Sequence, residues 1–147
     1  MRLVTQFLIA VLCVLVASVL NAGSKTQTLL DQLGRAQSME QANPIVEELW
    51  KEWTAAHNNE DEKALMVQGI AAMSKGNLDR AENLFTKLIE VNPYFTEAWN
   101  KRATLRFMAW DFEGSLKDVE KVLALEPRHF GALSGLGMIY LLSLIHI

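Results

Sequence analysis

Apolar residues follow two regimes along this chain. A continuous block, Phe7-Leu8-Ile9-Ala10-Val11-Leu12-Cys13-Val14-Leu15-Val16-Ala17-Ser18-Val19-Leu20, follows one early charge, Arg2, and no further charge occurs before Lys25. A short basic start, an unbroken apolar core and small residues after it predict a secretory signal peptide over 1–22, cut after Ala22. Leu20 is bulkier than such a cut prefers, and 3–20 approaches the lower length of a spanning helix. An uncleaved anchor is therefore the alternative. Cys13 sits inside the block rather than at its end, which makes it a plain apolar residue and not a lipid attachment site.

From Thr26 onward the apolar positions become periodic. Leu29, Leu30 and Leu33 form a short stripe that stops at Gly34. Ile45, Leu49, Trp50 and Trp53 recur on one face of a second helix, with Ser38 as its cap and Gln41 as the capping-box partner. Pro44 leaves two openings for that helix, a start at Asn43 or an earlier start with a bend. His57-Asn58-Asn59 ends it, so a helical hairpin is predicted over 23–58.

The pattern then repeats with a period of 34 residues, the spacing of Pro93 and Pro127. Ala64, Ala98 and Ala132 coincide under that shift, as do the large residues Leu65, Trp99 and Leu133 and the small residues Gly69, Ala103 and Gly137. Asn77 and Asp111 both suit a helix N-cap. Leu78, Ala81, Phe85 and Leu88 line one helix face, matched by Phe112, Ser115, Val119 and Val122. Each unit therefore holds two helices, near 61–75 and 78–91 in the first. The small residues stand where the two helices cross closely.

A 34-residue helix–turn–helix with these offsets resembles the tetratricopeptide repeat. Leu133, Leu136, Gly137 and Tyr140 carry the signature best; the first copy keeps Gly69, Ala81, Phe85 and Pro93, and the second keeps Trp99 and Pro127. The runs Ala98-Trp99-Asn100-Lys101-Arg102-Ala103 and Leu123-Ala124-Leu125-Glu126-Pro127-Arg128-His129-Phe130 are also similar to envelope repeat proteins of alphaproteobacteria. The resemblance implies an all-α, right-handed solenoid preceded by the hairpin, with repeats at 62–95 and 96–129 and the first helix of an incomplete third at 130–141. It also implies a concave groove built by the first helices. Its positions map onto Lys63, Met66, Ile70 and Met73, onto Glu97, Asn100, Thr104, Phe107 and Met108, and onto Ser134 and Met138. Met73 and Phe107 serve equally well as packing between helices. Arg102 and Arg106 depart from the leucine and tyrosine common in the family, which puts the groove chemistry of the second repeat in doubt. Met66 and Ile70 disfavour a basic clamp for partner carboxylates.

The end of the chain departs from the pattern. A turn is expected near 144, but Leu141-Leu142-Ser143-Leu144-Ile145-His146-Ile147 is apolar nearly throughout. A terminal solenoid helix needs a polar outer face. Residues 142–147 also match the translation of a transposon-end sequencing adapter. We read them as a non-native tail on a natural protein that continues.

Composition narrows the functions. The 147 residues suggest one domain, and an apolar share of 50% excludes general disorder. A net charge of −3 gives no electrostatic basis for nucleic-acid binding, and one cysteine permits neither an intrachain disulfide nor a zinc set. His57, His129 and His146 lack paired ligand spacing, and Glu60-Asp61-Glu62 reads as the first turn of a helix capped by Asn59 rather than a cation site. Ser134 is in no nucleophile elbow, and 131–137 lacks the end of a phosphate loop. Trp50, Trp53 and Trp99 read as packing residues. No catalytic constellation and no cofactor are expected. The expected function is non-catalytic protein binding in the bacterial envelope, exported and periplasmic, with no membrane association unless the N-terminal segment is retained. The alternatives are a self-assembling scaffold, or an accessory module of a longer protein bearing a catalytic domain.

Overall fold

The computed structural model describes residues 25–55 and 59–145, the last three by backbone alone. The expected signal peptide with Cys13, the loop residues His57 and Asn58, and His146 and Ile147 lie outside the described residues. All regular structure among the described residues is helical. The length suggested one domain, but the chain divides into two compact units, Met1–Glu52 and Trp53–Ile147. Repeat packing is local, so its contacts form a group of their own.

The first unit carries α1, over 25–33, and most of α2, Met39–Thr54. Gly34 closes α1, its N–H returning to the Leu30 carbonyl at 3.0 Å. Ser38 Oγ accepts the Gln41 N–H at 3.3 Å, and Gln41 Oε1 accepts the Gln37 N–H at 2.9 Å. This near capping box starts α2 at Met39 and leaves Pro44 inside the helix, settling the two openings in favour of the earlier one. Leu30 and Leu49 are buried. Lys25 Nζ pairs with Glu48 at 2.8 Å and with Glu52, joining the start of α1 to the end of α2. Hydrogen bonds to Glu48 and Glu52 hold the Lys25 ammonium above its usual range, and the bond from Lys25 holds the Glu48 carboxyl below its own.

The second unit strings α3 (Glu60–Ser74), α4 (Leu78–Val91), α5 (Thr96–Met108), α6 (Phe112–Leu125) and α7 (Phe130–Ile145) so that each packs on the next. Asn59 caps α3, accepting the Asp61 and Glu62 N–H groups at 3.0 and 3.2 Å. The Glu62 carboxylate does not return to the cap backbone. It accepts from the side chains of Asn59 at 3.1 Å and Asn92 at 3.0 Å, tying the start of α3 to the end of α4. Asn77 caps α4 through the Arg80 N–H, and Asp111 caps α6 through the Gly114 N–H. The turns before these caps need a left-handed residue, supplied by Gly76 at φ 73° and, 34 positions on, by Trp110 at φ 65°.

Two cores follow from the repeat. Met66, Ala81, Phe85, Leu88 and Ala98 form the first, and Ala103, Val119, Val122, Ala132 and Ile139 the second. Gly69 permits the α3–α4 crossing, since a Cβ there would lie 2.6 Å from the Phe85 ring. In the α5–α6 pair Ala103 holds the place of Gly69, and Ser115, which matches Ala81, satisfies its buried hydroxyl on the Ala103 carbonyl at 2.8 Å. The expected turn near 144 is absent, because the apolar run holds no breaker and α7 continues to Ile145. No helix among the described residues is long and apolar enough to cross a membrane.

Candidate functional site

α5 and α7 are first helices of successive units, and besides packing on α6 they touch each other. Between them lies a solvent-open cleft of about 70 Å³. Asn100, Ala103, Thr104 and Phe107 on α5 form one wall, Gly131, Gly135 and Met138 on α7 the other, and Ser115 and Val119 on α6 the floor. The glycines sit one turn apart on α7 and open the cleft by lacking side chains. No charged residue lines it.

A buried polar set joins the N-terminal ends of the two walls. Glu97 and His129 are each 0% exposed. His129 stands just before α7, and its Nδ1 accepts the Ala132 N–H at 3.2 Å, so the imidazole serves as the helix cap. An accepting Nδ1 places the ring proton on Nε2, which donates to Glu97 Oε2 at 3.1 Å. The same oxygen accepts from Asn100 Nδ2 at 3.0 Å, and Lys101 pairs with the other carboxylate oxygen at 2.9 Å. Glu97 thus holds both the cap of α7 and a side chain of the α5 wall. Among the described residues no group of histidine, cysteine, aspartate or glutamate side chains has the arrangement of a metal site.

Known proteins place this architecture. A TPR repeat-containing protein of Rhizobium etli is 35% identical over 123 residues, 81% of this chain and 60% of the relative. Tetratricopeptide repeat protein 36 of Bos taurus is 38% identical over 66 residues, and its Homo sapiens counterpart is 36% identical over the same length. The chain is thus similar to tetratricopeptide repeat proteins over most of its length. It spans 60% of the Rhizobium relative and 35% of each mammalian one. No protein-family model matches the chain, and no solved structure matches it.

The groove positions implied by this resemblance separate into three groups. Asn100, Thr104, Phe107 and Met138 come together in the cleft. Met66 is 2% exposed in the first core, with Ile70 and Met73 packed against it, and Glu97 is buried beneath Asn100. Lys63 and Ser134 are exposed but line no part of the cleft, and Met108 borders a separate apolar hollow with Trp110, Phe112 and Leu142. Phe107 serves both roles weighed for it, lining the cleft while its ring packs on Phe112 with centroids 5.5 Å apart.

Arg102 and Arg106, whose departure from the family pattern put the groove chemistry of the second repeat in doubt, line no part of the cleft and turn to the opposite side of α5. Arg102 makes a forked pair with Asp118 of α6, 2.8 Å at each oxygen, and reaches Thr86 of α4 at 3.2 Å. Arg106 bonds Glu82 of α4 at 3.0 Å and Asp118 at 3.1 Å. Sequence reasoning did not identify Gly131, Gly135, Ser115 or Val119 as lining. The four-residue glycine spacing was the available signal, but an opening made by missing side chains depends on which helix lies opposite.

Proposed function

We infer that this chain is a non-catalytic protein-binding module, and that the α5–α7 cleft receives a peptide segment or helix of a partner protein. The cleft carries the inference: it is concave, uncharged and partly apolar, with an adaptable methionine on one wall and an amide held in place by a buried carboxylate on the other. Because the walls are packed helices, most of the ordering cost on binding falls on the partner. The segment before Lys25 supports export to a bacterial envelope, periplasmic after cleavage or anchored to the inner membrane without it.

A photo-crosslinking residue at Thr104, exposed in the chain to an envelope extract, tests this reading. One protein should be captured, lost with Met138→Glu in the opposite wall and retained with Lys87→Glu on exposed α4 surface. Capture that ignores the Met138 substitution would sink the cleft as the site. A second reading, self-assembly, draws on α7, where Leu133, Tyr140 and Leu141 are 48–60% exposed and a Cβ at Gly137 meets nothing within 4 Å. A mass that rises with concentration and falls to the monomer with Leu133→Glu would favour it.

A further inference from the structure

The cleft residues of α5 alternate with residues that face away from it. Asn100, Ala103, Thr104 and Phe107 line the cleft, while Arg102 and Arg106 carry the ionic seam behind it. The repeat shows that helix pairing at these positions does not require charge. In the first repeat Gln68 and Ala72 replace the arginines and Leu84 replaces Asp118, and in α7 Leu136 and Tyr140 replace the arginines. The seam is therefore particular to α5, one of the two cleft walls; α7, the other wall, lacks it.

Burying this set is costly for stability alone. Asp118 is 2% exposed and Arg102 8%, and apolar side chains of similar size avoid the desolvation. What the seam adds is direction. A guanidinium fork meets a carboxylate in one plane and one orientation. Arg102 and Arg106 lie one turn apart on α5, and both converge on Asp118 of α6. Each also reaches α4, Arg102 through Thr86 and Arg106 through Glu82. The Arg102 guanidinium further lies 4.9 Å from the Trp99 ring, whose Nε1 donates to the Pro93 carbonyl at 2.9 Å. Two directional anchors on one helix, each tied to two other helices, fix its rotation about its axis and its position along it. A smooth apolar seam fixes these less sharply.

We propose that Arg102, Arg106 and Asp118 are positioning residues of the cleft, which set the rotation of α5 and so aim Asn100, Thr104 and Phe107 toward α7. The biological use of that aim rests on the binding reading above, but the geometry is measured without any partner, so the two fail separately. Spin labels at Thr104→Cys and Ser134→Cys, in the full chain with Cys13→Ser, report the α5–α7 distance by electron double resonance. The reference chain should give one narrow peak. Arg102→Met, Arg106→Ala and Asp118→Leu together, which restore an apolar seam, should broaden or shift that peak while the protein remains folded by circular dichroism. Arg102→Lys keeps the charge, removes the fork and should broaden the peak as well; it decides the matter if the triple variant does not fold. An unchanged distance distribution in the folded variant, even with a lower melting temperature, would reduce the three residues to a stabilising role and overturn the proposal.

Discussion

Gly69 and Gly137 hold the same place in their repeats, yet their surroundings make opposite demands. A methyl at Gly69 would lie 2.6 Å from the Phe85 ring, whereas one at Gly137 meets nothing within 4 Å. Gly69→Ala should therefore lower stability by about 1–3 kcal/mol, the usual cost of overpacking. Gly137→Ala should raise it by about 0.5–1 kcal/mol, because glycine inside a helix loses more backbone freedom on folding than alanine. Urea unfolding of the two variants, read by circular dichroism, checks both signs. The left-handed pair behaves similarly: Gly76→Ala at φ 73° should cost about 1–2 kcal/mol, a strain that Trp110 at φ 65° already bears. The small positions and their period were legible in the sequence. Whether an aromatic ring lay against each was not, because that depends on a residue in another helix.

Among the elements, helix beginnings were the most legible feature. Asn59, Asn77 and Asp111 each bond N–H groups of the first turn that follows, as short polar side chains at those offsets should. Asn77→Ala and Asp111→Ala should each cost about 1 kcal/mol in thermal unfolding. The cap of α7 was missed, since a histidine is an unusual cap and its role depends on Glu97, 32 positions earlier. The partner of the α5 arginines was not legible for a related reason: their spacing places them on one helix face but does not reveal that Asp118 lies opposite. Asp118→Ala should cost about 3–5 kcal/mol by leaving Arg102 buried without its partner, more than the exposed pair Lys117–Glu113 at 2.7 Å could contribute. In the N-terminal hairpin, the lowered Glu48 carboxyl stabilises above its unfolded value and loses that contribution as pH falls through the folded one. The raised Lys25 ammonium stabilises below its unfolded value of 10.5 and loses it as pH climbs through the folded one. The Lys25–Glu48 pair should therefore persist at neutral pH and weaken toward both extremes, which side-chain NMR titration would follow.

At the scale of the whole molecule, a repeat scaffold is a sum of local interfaces, and a cleft lies where the second and third repeats adjoin. Period, helix pairing and family resemblance were written into the sequence, because one helix face must be apolar at fixed spacing whatever the partner. The groove positions carried over from the family met the cleft at Asn100, Thr104, Phe107 and Met138, where first helices of neighbouring repeats face each other. They missed it in the first repeat, where Met66 is closed into the core and Ile70 and Met73 pack against it. By itself the sequence determined the elements, the asparagine and aspartate caps and the order, all properties of short stretches of backbone and periodic side chains. Only the tertiary structure decided which side of α5 faces the cleft, which polar groups are buried together at Glu97, and where absent side chains leave an opening. Each of those depends on the distance between residues that the chain itself keeps far apart.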